Sequence, residues 1–200
     1  MKEITENIEQ HPLPLFLPKD AKVLMLGSFP PPKTRWKMDF YYPNFQNDMW
    51  RIMGLIFFKN KDQLIDVEKR LFREKEIRSF LEEQGIAIYD AADKVRRLQN
   101  NAADKYLQII QVTDLNKLLS QLPMCKHIIT TGEKATQLIL EYYQQSDQKI
   151  DIGSNIELNF KDGGTKLHRL PSSSRAYPLP LVRKAEIYQS CFSKIFNFEN

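Results

Sequence analysis

The 200-residue chain contains only two cysteines, three histidines and seven glycines. Cys125 and Cys191 stand far apart without metal-ligand spacing, so neither a disulfide framework nor an iron–sulfur site is supported; both read as packing residues. Neither a Walker loop nor a Gly-x-Gly-x-x-Gly fingerprint occurs, which argues against an α/β nucleotide-binding protein. No apolar run approaches the length of a bilayer span. The polar opening Met1-Lys2-Glu3-Ile4-Thr5-Glu6 lacks the pattern of a signal peptide, and a cytoplasmic protein is expected. Repeats, low-complexity tracts and long linkers are missing as well, so residues 1–200, 42% apolar, are expected to form a single domain with an irregular arm over residues 1–20. Excess charge is small, at +4. Its basic members gather at Arg96-Arg97, over residues 166–175 and at Arg183-Lys184, where solvated surface and phosphate-contacting face are both open readings.

What is present is an alternation of short apolar runs and helical periods. Residues 23–26 form a run that ends at Gly27 and reads as a buried strand, and residues 86–89 and 127–130 repeat the pattern. From Asn47, Trp50, Met53 and Phe57 recur at three- and four-residue spacing, which predicts a helix; further helices are expected over residues 62–84, 133–143 and 181–196. Gly85 suits the end of the second helix, and Thr113 or Asp114 suits a cap before the third strand. Asp162-Gly163-Gly164 is a turn signal that joins residues 156–160 and 166–169 as a hairpin. This order predicts an α/β fold with a mostly parallel sheet covered on both faces. His127 and His168 fall in strands and read as structural, whereas His11 reads as exposed on the arm.

Two loops follow strand-like runs at opposite ends of the chain: Gly27-Ser28-Phe29-Pro30, and Leu170-Pro171-Ser172-Ser173-Ser174-Arg175-Ala176-Tyr177. Loops leaving the carboxyl ends of parallel strands share one crevice, so segments about 140 residues apart can build one pocket. Between them lies Phe40-Tyr41-Tyr42-Pro43-Asn44-Phe45-Gln46-Asn47-Asp48-Met49-Trp50. With these segments in this order, from about residue 20 to the C-terminus, the chain resembles the uracil-DNA glycosylase superfamily. The resemblance is nearest to the hypoxanthine-DNA (deoxyinosine) glycosylase branch, whose pattern runs Gly-Ser-Phe-Pro, Tyr-Tyr, Asn-x-Phe-Trp and Leu-Pro-Ser-x-Ser. It implies a three-layer α/β/α sandwich around about four mostly parallel strands. It also implies a monomer acting on DNA that carries a deaminated base, with no metal or other cofactor.

Base excision requires the target nucleotide to leave the stack, and the site must supply a surface for the flipped base, a positioned water and phosphate grips. The resemblance assigns base binding to Gly27, Ser28, Phe29, Pro30 and Tyr42, with Phe29 and Tyr42 as stacking surfaces worth about 1–3 kcal/mol per base. Much of the superfamily has Asp or Asn where Phe29 stands. Because Phe29 cannot orient water, the resemblance points to Asn47 as the catalytic amide, although Asn47 equally suits a helix cap. Asp48 competes as a general base, although a carboxylate also suits the first turn of a helix. Ser172, Ser173 and Ser174 are expected to hold a DNA phosphate. Arg175, Tyr177 and Leu179 lie where the superfamily carries its intercalating wedge, and all three remain open for that role.

This chain departs from the pattern at two places. Leu170 replaces the histidine of the most uracil-specific relatives, and Asn44-Phe45-Gln46 replaces the branch's His-Pro-Arg. Two functions follow from the resemblance: a monofunctional glycosylase with no Schiff-base lysine in a matched motif, and a catalytically silent DNA-binding module on the same fold.

Overall fold

The computed structural model describes residues 8–98, 104–160 and 164–196. In chain order its strands are β1 (Ile8–Gln10), β2 (Val23–Gly27), β3 (Ile65–Asp66), β4 (Leu71–Phe72), β5 (Ile86–Asp90), β6 (Ala92–Arg97), β7 (Leu107–Val112), β8 (His127–Thr131), β9 (Asn155–Glu157) and β10 (Lys166–Leu170). The helices are α1 (Met49–Phe58), α2 (Glu74–Gln84), α3 (Leu115–Leu119), α4 (Glu133–Tyr142) and α5 (Leu181–Phe196).

A five-stranded sheet in the order β5-β2-β8-β10-β9 forms the centre, parallel except for β9 at its edge. Every residue of β2 and β5 is buried, because strands of a parallel sheet are covered on both faces; this is why they read as continuous apolar runs. In register, Gly27 lies beside Asp90, Leu26 beside Thr130, and Thr131 beside Leu170. The carboxyl ends of four strands therefore form one row. From β2 the chain crosses to β5 on one side and later to β8 on the other, a reversal that makes this row the topological switch point. Right-handed crossovers then put α1 and α2 on the face opposite α4. On the first face the ring of Phe57 meets Phe80 of α2 and Phe192 of α5, with centroids 4.8 and 5.5 Å apart.

Several expectations hold in the structure. α2 ends at Gly85, whose φ of +66° is the left-handed value that favours glycine. Asp114 caps α3 by accepting the Lys117 N–H at 3.1 Å. β9 and β10 pair as an antiparallel hairpin, although the turn residues 161–163 lie outside the described residues. Cys125 and Cys191 are buried, and burial pushes their thiols up to about 11 and about 12, where they are inert.

Others are corrected. Helix does not extend over residues 62–84: residues 65–72 form the short hairpin of β3 and β4, and α2 starts only at Glu74. Asp66 Oδ1 accepts the Lys69 N–H at 2.9 Å and Arg70 takes a φ of +54°, so a side chain satisfies the turn where a helix would have used backbone. The arm is not wholly irregular either. β1 joins β6 and β7 in a second, antiparallel sheet that the sequence reading lacked.

Candidate active site

The row of strand ends opens into a cleft of about 970 Å³, and both motif loops line it. Gly27, Ser28, Phe29 and Pro30 come from the end of β2; Leu170 to Ser174 and Tyr177 come from the end of β10. The segment between β2 and α1 supplies Tyr41, Tyr42, Asn44 and Asn47. Phe29 is buried, and its ring meets His11 edge-on with centroids 5.4 Å apart. Tyr42 has a φ of +50°, costly for a bulky side chain, and its hydroxyl shares a 2.8 Å hydrogen bond with Thr131 of β8. That bond crosses the switch point, and burial together with the nearby Asp90 keeps the Tyr42 phenol un-ionised by raising its pKa.

Asn47 lines the cleft while its Oδ1 accepts the Met49 N–H at 2.9 Å, so one half of the amide fastens the start of α1. Its two N–H donors have no partner among the described residues. Asp48, the competing candidate, is not among the lining residues. It is buried behind the serine loop, where Oδ1 accepts from Arg175 Nε at 2.8 Å and Lys184 Nζ lies 3.6 Å from Oδ2. Arg51 adds a third cation at 3.9 Å. Lys184 is 1% exposed and also donates to the Ser174 carbonyl at 2.7 Å, while the Asp48 N–H donates to the Ser173 carbonyl at 2.8 Å. Asp48 thus ties the serine loop to α1 and α5. Arg175 shares that tie and, like Asp48, is not among the lining residues.

The serine loop is folded on its own hydroxyls. Ser172 Oγ accepts the Ser174 N–H, and Ser174 Oγ accepts the Ala176 N–H, each at 3.2 Å. Ser173 is buried. Trp50, on the buried face of α1, donates its indole N–H to the Tyr41 carbonyl at 3.1 Å and is core rather than site.

Two site residues escaped the sequence reading. Asp90 ends β5 beside Gly27 and is buried in the cleft wall; His11 Nε2 lies 2.8 Å from its Oδ2. The expectation of an exposed His11 is corrected: its side chain is 2% exposed, because β1 fixes the arm and the His11 N–H donates to the Asp93 carbonyl at 2.8 Å. A signal for Asp90 was present, since a lone carboxylate closing an apolar run marks a strand's carboxyl end as Gly27 does. His11 had no local signal, because its partner lies 79 residues away. At the opening, Ser28 donates its hydroxyl to Asp104 at 2.5 Å.

No protein-family model and no curated protein matches the chain. Among solved structures, the chain is similar to the solution NMR structure of a protein titled a candidate uracil DNA glycosylase from Methanosarcina acetivorans. The TM-score is 0.64 at 21% identity, over 95% of this chain and 99% of that one. The fold is uracil-DNA-glycosylase-like. In such a fold the cleft at the switch point is where a ligand is expected, and the two motif loops meet there.

Proposed function

We propose that the chain is a monofunctional DNA glycosylase of base excision repair, hydrolysing the bond between deoxyribose and a deaminated base, hypoxanthine or uracil, to leave an abasic site. The observation that carries this reading is the convergence of Phe29, Tyr42, Asn47 and the serine loop on one cleft at the switch point of a glycosylase-like sheet. Phe29 and Tyr42 form the aromatic side of the base pocket, the Asn47 N–H donors meet the base edge or water, and Ser172 to Ser174 grip the phosphate. Arg175 and Tyr177 meet the DNA beside them. Asp48 serves not as a water activator but by holding the serine loop in position.

The test is excision on labelled duplex and single-stranded oligonucleotides, each with one uracil, hypoxanthine, xanthine or mismatched thymine, followed by alkaline cleavage. Excision of hypoxanthine or uracil, unaffected by EDTA, is expected. A second reading, a silent DNA-binding module, draws on the Asn47 acceptor already being spent on α1. Tight binding with no abasic product on any substrate would decide for it.

A further inference from the structure

With Phe29 unable to hold water and Asp48 sequestered by cations, the cleft still needs a group to activate the attacking water. Among the described residues, three carboxylates line it. Asp104 is an exposed residue whose carboxyl, though pushed up by local burial, is occupied by the Ser28 hydroxyl at the opening, and Glu133 is exposed on the first turn of α4. Asp90 is the buried one, 6% exposed.

Its two oxygens face different surroundings. Oδ2 faces His11 Nε2 at 2.8 Å. Oδ1 lies over Gly27: a Cβ there would come within 2.5 Å of Oδ1 and 3.5 Å of the Tyr42 hydroxyl. Gly27, with no Cβ, therefore lets the Asp90 carboxylate seat against the end of β2, where the Gly27 backbone also hydrogen-bonds it and both residues line the cleft. His11 is itself clamped. Its ring centroid is 4.3 Å from that of Tyr89, and Nδ1 lies 3.1 Å from the Leu13 carbonyl and 3.3 Å from the Leu13 N–H. Nδ1 can thus accept from Leu13 when the imidazole is neutral or donate to it when charged. Nε2–H can stay on Asp90 in both states.

We propose, resting on the glycosylase reading above, that Asp90 is the catalytic base of excision and that His11 is the positioning residue that holds its carboxylate. Asp90 Oδ1 takes a proton from water as the water oxygen bonds to C1′ of the deoxyribose. The C1′–N bond breaks, its electron pair leaves on the base, and the base is then protonated from Asp90 or solvent. The products are the free base and an abasic sugar, with Asp90 restored.

The groups facing Asp90 are His11 from the arm, Tyr41 and Tyr42 from the segment before α1, Tyr89 from its own strand, and Asp104. Burial raises the Asp90 pKa, His11 lowers it and Asp104 raises it further. Excision should therefore fall on the acid side as Asp90 takes up a proton. Removing the imidazole should move that limb to higher pH.

The experiment is single-turnover excision by wild type, Asp90→Asn, Asp90→Ser and His11→Gln as a function of pH, with melting midpoint and binding to an abasic-analogue duplex measured alongside. Asp90→Asn is expected to be about 10²–10⁴-fold slower with binding retained. His11→Gln is expected to keep measurable excision with its acid limb shifted upward, a shift that a purely structural histidine would not produce. Wild-type rates in a folded Asp90→Asn or Asp90→Ser overturn the assignment while leaving the glycosylase standing, as does an unmoved limb in His11→Gln. Wild type inactive on every base removes the glycosylase reading and this one together.

Discussion

Asn47 carries one acceptor and two donors on its side-chain amide, and α1 uses the acceptor. The cap and the chemistry are therefore separable by substitution. Asn47→Ala loses both, and should cost about 1 kcal/mol of stability and about 10²–10³ in single-turnover excision, the usual cost of one preorganised contact. Asn47→Asp keeps the acceptor for the Met49 N–H and loses the donors. It should melt close to wild type in thermal denaturation and excise as poorly as the alanine variant. An Asn47→Asp enzyme with normal excision would reduce Asn47 to a cap. Asp48 is the opposite case, a neighbour whose carboxylate is fully engaged by Arg175, Lys184 and Arg51. Asp48→Ala strands Lys184, 1% exposed, without its counter-charge, and should destabilise by about 3–5 kcal/mol in urea unfolding, the range for a broken buried pair. A folded Asp48→Ala protein of wild-type stability would show that the cluster holds nothing together.

Elements were legible in proportion to how much of their stability is local. β2, β5 and β8 announce themselves as short apolar runs because both faces are covered, and α5 as a long apolar stripe. β6 and β7 do not, since each has alternating half-exposed residues and pairs only through the second sheet. The hairpin of β3 and β4 resembles a helix in sequence because Val67 and Leu71 fit a helical period, yet both are exposed. The motif loops could be found in sequence because they follow legible strands. The link between His11 and Asp90 could not, because it depends on β1 pairing with β6. The histidines of the central sheet behave as expected: His127 Nδ1 and His168 Nε2 are 3.0 Å apart on adjacent strands. Burial, then the neighbouring His127, brings the His168 pKa from 6.5 down to about 4. The folded protein thus keeps His168 neutral while the unfolded chain takes up a proton. Stability should be full above about pH 6.5 and fall as pH drops towards 4, by up to about 3 kcal/mol for a shift of this size. Urea unfolding of wild type and His168→Gln between pH 7 and 4.5 checks this. An equal decline in both proteins would assign the acid sensitivity elsewhere.

For the whole molecule, net charge matters less than where the charge lies relative to the cleft. Lys166 stands at the amino end of β10, beside His127, whereas the cleft opens at the carboxyl end beyond Leu170. The basic stretch noted at residues 166–175 is thus split between two ends of the sheet. Among the described residues, Arg35, Lys105, Lys134 and Arg169 line the cleft against Asp90, Asp104 and Glu133, which nearly balance them. The local excess lies behind the serine loop, where Arg51, Arg175 and Lys184 surround the single carboxylate of Asp48. Arg175 is the half-exposed member of that group, so it is the one within reach of the phosphate that Ser172 to Ser174 are proposed to hold. Each phosphate neutralised on duplex DNA contributes about 0.9 to the slope of log affinity against log salt. Arg175→Gln should therefore flatten the slope by about that amount, and Lys166→Gln should leave it unchanged. Affinity titrations of both variants over a range of salt, on an abasic-analogue duplex, make the comparison. Equal slopes for wild type and Arg175→Gln would mean that Asp48 retains the guanidinium when DNA is bound, and a flattened slope in Lys166→Gln would move the DNA to the other end of the sheet.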